Sequence, residues 1–503
     1  MRAPRDIKLV GALGSAGGCH TSDAFLPEPG IHATQEGLIR YSEYDLFVLE
    51  VLDEWLAGKY SIPDEIDLRR VKRDWMRYLI PRVAVFSAAT RTVVTRRNAS
   101  SSLRTLARRV LDEDGTVWHD IVTPKIAVCL DELQSLGRAL TAEGRLFEKL
   151  EPGAGDAHHY GKTTTKITSA DGTYYFKPAR SSKRLLVQSV FRAADMPDHI
   201  YVPCDTPLLD GYVQESVPPP EPSVSKEEFW HRAGAFAAVS DCLNVVDAHY
   251  ENVVPAGASI ALIDDETIMT ASPFGHERNL LTTLLLQDTD AIEIAAGFMA
   301  AATPSVSNYY PTLLDAAGGE HMTVRTSTRI ESRATTIARH FGSISDFSDE
   351  FVDGLRQGYS KISSHGLSVA RAIRKFGAGS KSRAVLFSTP GYRRLTLLIS
   401  TSPTSASKHE IEERVLRDLQ RFDRKAVAPQ ILRSEISQLM RGDVPMFTID
   451  VTSREIYDGE DRVGEITMSP VDESCSRIFG LDRHYIDDQC AIARRCLSSP
   501  SLS

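Results

Sequence analysis

Residues Asp247–Glu266 read DAHYENVVPAGASIALIDDE. Asp247 stands five residues before Asn252, and Asp264 twelve after it. Phosphoryl transfer needs groups of these kinds: a carboxylate to orient the attacking hydroxyl and take its proton, and an amide oxygen and second carboxylate to hold magnesium against the phosphates. The runs Asn252-Val253-Val254 and Ile260-Ala261-Leu262-Ile263 predict two short strands. A loop followed by a hairpin gathers the three groups around one point. Asp247 is then the base, and Asn252 and Asp264 are metal ligands. Asp and Asn also favour turns for backbone reasons, so the ordered set carries the argument rather than any one residue. The His249 imidazole, taken alone, reads as a structural hydrogen-bonder.

Working upstream, the transferred phosphates need a cation. Thr163–Thr168 and Thr173–Lys177 are β-prone and flank the turn Ser169-Ala170-Asp171-Gly172, which predicts a hairpin. Lys177 ends its second strand, 70 residues before Asp247. A lysine on a strand, with the base in a following lobe, is a kinase layout. Residues 216–224 hold four prolines and read as a hinge. Ser225 with Glu228 predicts a capping box opening a helix whose apolar side is Phe229, Ala233, Phe236, Ala237 and Leu243. Residues 35–150 read mainly as helices. Downstream, helix is expected over Phe351–Phe376 and Glu410–Phe422, a strand over Arg383–Ser388, and loop through much of 271–343.

Composition sets the outer bounds. The chain has 503 residues, 42% hydrophobic and 25% charged, so it can bury more than one core. A net charge of −9 argues against nucleic acid as the main partner. Arg69-Arg70, Lys72-Arg73 and Arg96-Arg97-Asn98 are either a patch for an acidic peptide or solvated helix faces. Seven cysteines without a C-x-x-C pair argue against a disulfide framework or a thiolate zinc site. No run of about 18 apolar residues is present and the N-terminus lacks a signal-peptide core. A cytoplasmic protein without a membrane span is expected.

Further motifs stand in a fixed order: Gly155-Asp156-Ala157-His158-His159-Tyr160-Gly161-Lys162, Tyr175-Phe176-Lys177-Pro178, the opening stretch, Arg383 to Thr389 with Tyr392, Glu435 to Leu439 with Gly442-Asp443-Val444-Pro445-Met446-Phe447, and Asp487-Asp488-Gln489. As an ordered set from about Gly155 to Cys496 they resemble the dehydratase domain of class II (LanM-type) lanthipeptide synthetases. The Asp-x-His-x-x-Asn order is also nearer to lipid kinases than to the His-Arg-Asp loop of protein kinases.

The resemblance implies an α+β fold with a two-lobed, kinase-like (lipid-kinase-like) core. A helical N-terminal region (1–150) would precede an N-lobe (151–224) and a C-lobe with an activation-loop-like segment (225–343). A mixed α/β C-terminal extension (344–496) would carry elimination residues, ahead of a disordered tail (497–503). It further implies ATP and Mg2+ as cofactors and a ribosomal precursor peptide with a leader as partner. Ser and Thr would be phosphorylated and the phosphate then eliminated to dehydroalanine or dehydrobutyrine. Lys177, Asp247, His249, Asn252, Asp264 and Glu266 would serve phosphorylation, and Asp156, His158, Arg383 and Thr389 elimination. The planar fork of Arg383 suits phosphate oxygens, and His158 suits proton transfer near neutral pH.

This chain departs from the family in places. Phe387 stands where a second arginine is common, Lys162 where there is arginine, and Asp265 where there is an apolar residue. No Cys and His set for the family's zinc cyclase remains, so no zinc and a separate cyclase, or none, are expected. The alternatives are a peptide Ser/Thr kinase without elimination, a lipid or small-molecule kinase, and a peptide-presenting pseudoenzyme.

Overall fold

The apolar spacing of the first third does produce helices. They span Glu43–Lys59, Arg69–Thr90, Ala99–Glu113 and Thr123–Ala142, with a π-helical turn at Gly115–Val122. The computed structural model describes residues 32–33, 39–40, 43–92, 99–158, 160–178, 183–270, 279–288, 296–299, 301–316, 319–333, 335–387, 389–421 and 427–498. Over these the protein is α+β, combining α-helices with antiparallel sheets. No described helix is long and apolar enough to cross a membrane.

Val48, Val51, Leu52, Trp55 and Leu56 are buried on one face of the first helix. The core they join also takes Leu150, Ile167, Phe176 and Val213 from a sheet, and Tyr392, Leu395 and Ile399 from a helix far downstream. Arg82 is wholly buried there, bonded to Asp114 at 2.7 Å and to the Ser402 carbonyl. At the start of the second helix Arg69 pairs with Asp67 at 2.6 Å and Lys72 with Asp53 at 2.5 Å. Arg96, Arg97 and Asn98 lie outside the described residues.

The sheet has five antiparallel strands, in the order Lys149–Pro152, Thr165–Ser169, Gly172–Lys177, Gly211–Glu215, Asp205–Leu208. The expected hairpin is its centre, with Thr165 opposite Phe176 and Ile167 opposite Tyr174. A second core forms around the Lys226–Cys242 helix. Ser225 caps that helix by accepting the Glu228 N–H at 3.1 Å, but the Glu228 carboxylate pairs with Arg232 rather than completing the capping box.

The Lys226–Cys242 helix meets the Ser348–Ser364 helix backbone to backbone. A Cβ built on Gly234 would lie 2.0 Å from the Phe351 carbonyl oxygen, and one on Gly354 would lie 1.8 Å from that of His231. Gly354→Ala is therefore expected to destabilise by about 1–3 kcal/mol or more through overpacking. Gly58→Ala, at an open helical position with no atom within 4 Å, is expected to stabilise by up to about 1 kcal/mol. Paired denaturant titrations check both.

Several expected elements differ in extent. Phe351–Phe376 is helical but in two pieces, Ser348–Ser364 and Gly366–Gly377, broken at His365; a Cβ built on Gly366 would lie 3.4 Å from Ile478. The strand expected over Arg383–Ser388 is Lys381–Ala384. Its partner strand starts at Phe447, opposite Ala384, just after Pro445, so there is nothing to pair with further on. The charged helix spans Lys408–Gln420 and has a full Ser407/Glu410 capping box. Within 271–343, expected as largely loop, Ala301–Ala316 and Gly319–Arg333 form an antiparallel hairpin. Residues 271–278 and 289–295 of the activation-loop-like segment lie outside the described residues. So do 499–503 of the expected tail, whereas Leu497 and Ser498 end the Arg483–Ser498 helix.

Candidate functional site

The predicted short strands are Val253–Ala256 and Ser259–Leu262, paired with Val253 opposite Leu262. The Ile263 N–H donates to the Asn252 carbonyl at 2.9 Å and extends the pairing by one step. Asn252 and Asp264 are thereby set at the open end of one hairpin. The Asn252 amide nitrogen donates to the Asp247 carbonyl at 2.9 Å. That bond helps hold Asp247 at φ +60°, a left-handed conformation that is costly for a non-glycine residue and often found at functional sites. His249 Nδ1 accepts the Glu251 N–H at 3.1 Å, so this imidazole braces the loop as expected of a structural hydrogen-bonder.

Cations and carboxylates converge on the same end. Lys177 Nζ donates to the Ile263 carbonyl. Arg383 Nη1 pairs with Glu266 Oε1 at 2.7 Å, and the Arg383 N–H donates to the Glu266 carbonyl at 2.7 Å. Burial pushes the Asp247 carboxyl above its usual range, with Asp264 and Glu266 adding to the push and His249 and Arg383 opposing it. Burial likewise raises Asp264, reinforced by Glu266 and Asp265 and opposed by Lys177 and Arg383. For Arg383, burial is outweighed by the carboxylates of Glu266, Asp156 and Asp247, which hold it firmly charged. One guanidinium thus feels both the Asp247–Glu266 stretch and Asp156.

Asp156 and His158 sit on a loop from Gly153 to Lys162. Burial acts to raise Asp156, but His158, Arg393, Arg383 and Arg77 together hold it below its usual value. His158 Nδ1 lies 2.7 Å from the Val444 carbonyl. A proton on Nδ1 suits that contact and makes Nε2 the acceptor of the neutral ring. Lys162 lies 3.8 Å from Glu132, whose carboxyl burial pushes up to about 7 despite that lysine. Thr389 begins the Thr389–Ser400 helix, but its side chain lies outside the described residues. Phe387 packs edge-on against Tyr392 with ring centroids 5.2 Å apart, and Tyr392 donates to the buried Glu435 at 2.6 Å.

Three residues given no role from sequence matter here. Asp443 is 2% exposed and accepts the Tyr160 N–H at 2.7 Å and the Gly161 N–H at 2.9 Å. The Val444 N–H donates to the Ala157 carbonyl at 3.0 Å, so the two loops bond reciprocally. The Gly442-Asp443-Val444-Pro445 run is one of the motifs that carry the resemblance, but nothing local in it points to a partner 282 residues away. Asp443→Ala leaves the Tyr160 amide without its acceptor and the Gly161 amide with the His158 carbonyl alone, at 3.0 Å. Hydrogen exchange at Tyr160 and Gly161 is expected to quicken by roughly 10–100-fold, as read by mass spectrometry of peptides covering 156–163. The other two residues are Lys183 and Asp265, which contact each other.

The donor set fits magnesium in a limited sense. Among the described residues no group of three or more His, Cys, Asp and Glu is placed to hold a metal unaided. Asp264 offers one carboxylate, buried and crowded by Glu266 and Asp265, whose mutual repulsion a divalent cation would relieve. Asn252 offers an amide whose nitrogen is already engaged, which leaves the oxygen to face a cation. One or two protein ligands, with phosphates and water completing the shell, is the usual magnesium arrangement.

Comparison with protein families matches residues 104–450, more than half of the chain, to DUF4135, described as a domain of unknown function. The chain belongs to the DUF4135 family. Its matched region starts in the third N-terminal helix and ends with the strand Phe447–Asp450. It therefore takes in the Gly153–Lys162 loop, Lys177, the Asp247–Glu266 stretch, Arg383 and Asp443. Among curated proteins, none matches the chain.

Proposed function

We propose that this DUF4135 protein is an ATP- and Mg2+-dependent dehydratase of peptide Ser and Thr residues, like the dehydratase domain of class II lanthipeptide synthetases, built on a kinase-like core. One observation carries the reading: Arg383 pairs with Glu266 while lying in the field of both Asp247 and Asp156. That is the placement needed if one pocket is to add a phosphate and then help expel it.

In the first step Asp247 takes the proton of the Ser or Thr hydroxyl as its oxygen bonds to the γ-phosphorus of ATP, and ADP leaves. Lys177 supplies the cation on the nucleotide phosphates. Asn252 and Asp264 would hold magnesium, which neutralises the phosphate charge developing in transfer. In the second step a base removes the α-proton, the Cα–Cβ double bond forms and the Cβ–O bond breaks, releasing inorganic phosphate. His158 Nε2 suits the proton transfer, with Asp156 beside it. Arg383 receives the departing phosphate through its fork. The five-stranded sheet with Lys177 on its central strand, joined through residues 216–224 to the helix ahead of Asp247, supports the kinase-like reading.

A second reading is a peptide Ser/Thr kinase without elimination. It is favoured by Phe387, which packs on Tyr392 where the resemblance leads one to look for a second phosphate-binding arginine. Incubating the protein with a leader-bearing, Ser/Thr-rich precursor peptide, ATP and Mg2+ separates the two by mass spectrometry. Loss of water from the peptide is expected. A phosphorylated peptide that goes no further establishes the kinase reading, and an unmodified peptide under all conditions sinks both. The cytoplasm and a leader-bearing precursor complete the proposed setting.

A further inference from the structure

We infer that Lys183, Tyr212 and Asp265 form a clamp that fixes the Asp264–Glu266 turn against the strand next to Lys177, and so sets where a divalent cation can sit. Only the last clause rests on the phosphotransferase reading. Asp265 uses both carboxylate oxygens: Oδ2 accepts the Lys183 N–H at 2.7 Å and Oδ1 accepts the Tyr212 hydroxyl at 3.0 Å. Lys183 Nζ returns to the same turn, donating to the carbonyls of Asp265 at 2.7 Å and Glu266 at 3.1 Å. Lys183 is 1% exposed and Tyr212 4%. Burying an ammonium and a carboxylate is costly unless their bonds are satisfied, and here they are spent on two consecutive residues, Asp265 and Glu266.

Register supplies the geometric link. Tyr212 is the direct antiparallel partner of Lys177. The Tyr212 hydroxyl reaches Asp265 while Lys177 Nζ reaches the Ile263 carbonyl, two residues back along the same turn. One pair of strands therefore grips the turn on both sides of Asp264. The far side is held by the Arg383 N–H on the Glu266 carbonyl at 2.7 Å. Behind the turn lies a small pocket of about 20 Å³ lined by Val187, Gln214, Leu262 and Ile268 together with Lys183 and Asp265. Released from the clamp, the turn keeps the Lys177 and Arg383 bonds to its backbone, but Asp264 is no longer fixed relative to Asn252. Lys183, Tyr212 and Asp265 are positioning residues, acting through Asp264.

Tyr212→Phe removes a single oxygen and keeps the ring, so it tests the clamp without a cavity. Asp265→Ala removes both acceptors. In the metal-free full-length protein, hydrogen exchange of amides 264–269 is expected to rise roughly 10–100-fold in either variant, with the global unfolding midpoint of Tyr212→Phe close to wild type. With a fluorescent ATP analogue as probe, the Mg2+ concentration for half-maximal binding is expected to rise several-fold. Unchanged exchange in Tyr212→Phe overturns the clamp, even if Asp265→Ala does not fold. Faster exchange with unaltered Mg2+ dependence overturns its role in placing the cation. A wild-type protein that binds no Mg2+·ATP analogue strikes instead at the phosphotransferase reading, and the exchange data still decide the clamp.

Discussion

Asp247→Asn is expected to slow phosphoryl transfer to peptide Ser or Thr by about 10²–10⁴-fold, the usual weight of a positioned base. Asparagine is the sharpest replacement because it tolerates the left-handed backbone that Asp247 adopts at φ +60°. It also keeps the shape that Asn252 braces through the Asp247 carbonyl. Single-turnover assays followed by mass spectrometry measure the rate, and the thermal midpoint shows that the fold survives. A variant rate equal to wild type removes Asp247 from the chemistry. The pH dependence adds a second check. A base works only when deprotonated, and burial with Asp264 and Glu266 nearby raises this carboxyl. The acid limb of the wild-type rate should therefore lie above the ordinary aspartate range, with activity lost as pH falls through it, and the limb should vanish from the residual activity of the variant.

Asp241→Ala is expected to be the most destabilising single change, by about 3–5 kcal/mol, because it leaves the Arg477 charge in a buried position without its partner. Asp241 has no exposed side-chain surface. It accepts Arg477 at 2.6 Å and the hydroxyls of Tyr359 and Tyr485 at 2.7 Å and 2.6 Å. Four helices therefore meet at one carboxylate: Lys226–Cys242, Ser348–Ser364, Pro470–Phe479 and Arg483–Ser498. Tyr359→Phe and Tyr485→Phe remove one bond each and should cost only about 0.5–1.5 kcal/mol apiece. Denaturant unfolding of the three variants checks the ranking. An Asp241→Ala cost no larger than that of the tyrosine variants shows that Arg477 reaches solvent when unpaired.

Local pattern made some of this architecture legible. The Thr-rich hairpin, the hairpin after Asn252 and the helix capped by Ser225 each follow from short-range periodicity and turn chemistry, and each formed within a few residues of expectation. The convergence of Lys177, Asp247, Asn252 and Asp264 was readable for the same reason, since strands and turns of known reach separate them. What could not be read was pairing across long separations. Asp443 and the Tyr160-Gly161 amides look unremarkable until the chain brings them together. Asp265 read as a departure beside a metal ligand, and its reason is a lysine 82 residues upstream. Arg383–Ser388 was read too long as a strand because β-propensity says nothing about where a partner strand begins. The hairpin of residues 301–333 escaped notice because serine, asparagine and proline interrupt any two-residue alternation.

The glycine contact between the Lys226–Cys242 and Ser348–Ser364 helices bears on where this chain can accept extra residues. Two helices locked backbone to backbone turn everything from 243 to 347 into a closed loop whose ends are fixed independently of its contents. Closing such a loop costs only about 0.6 kcal/mol more for each doubling of its length. Residues inserted at the tip of the 301–333 hairpin of this chain are thus expected to cost little, while Gly234 and Gly354 admit almost no substitution.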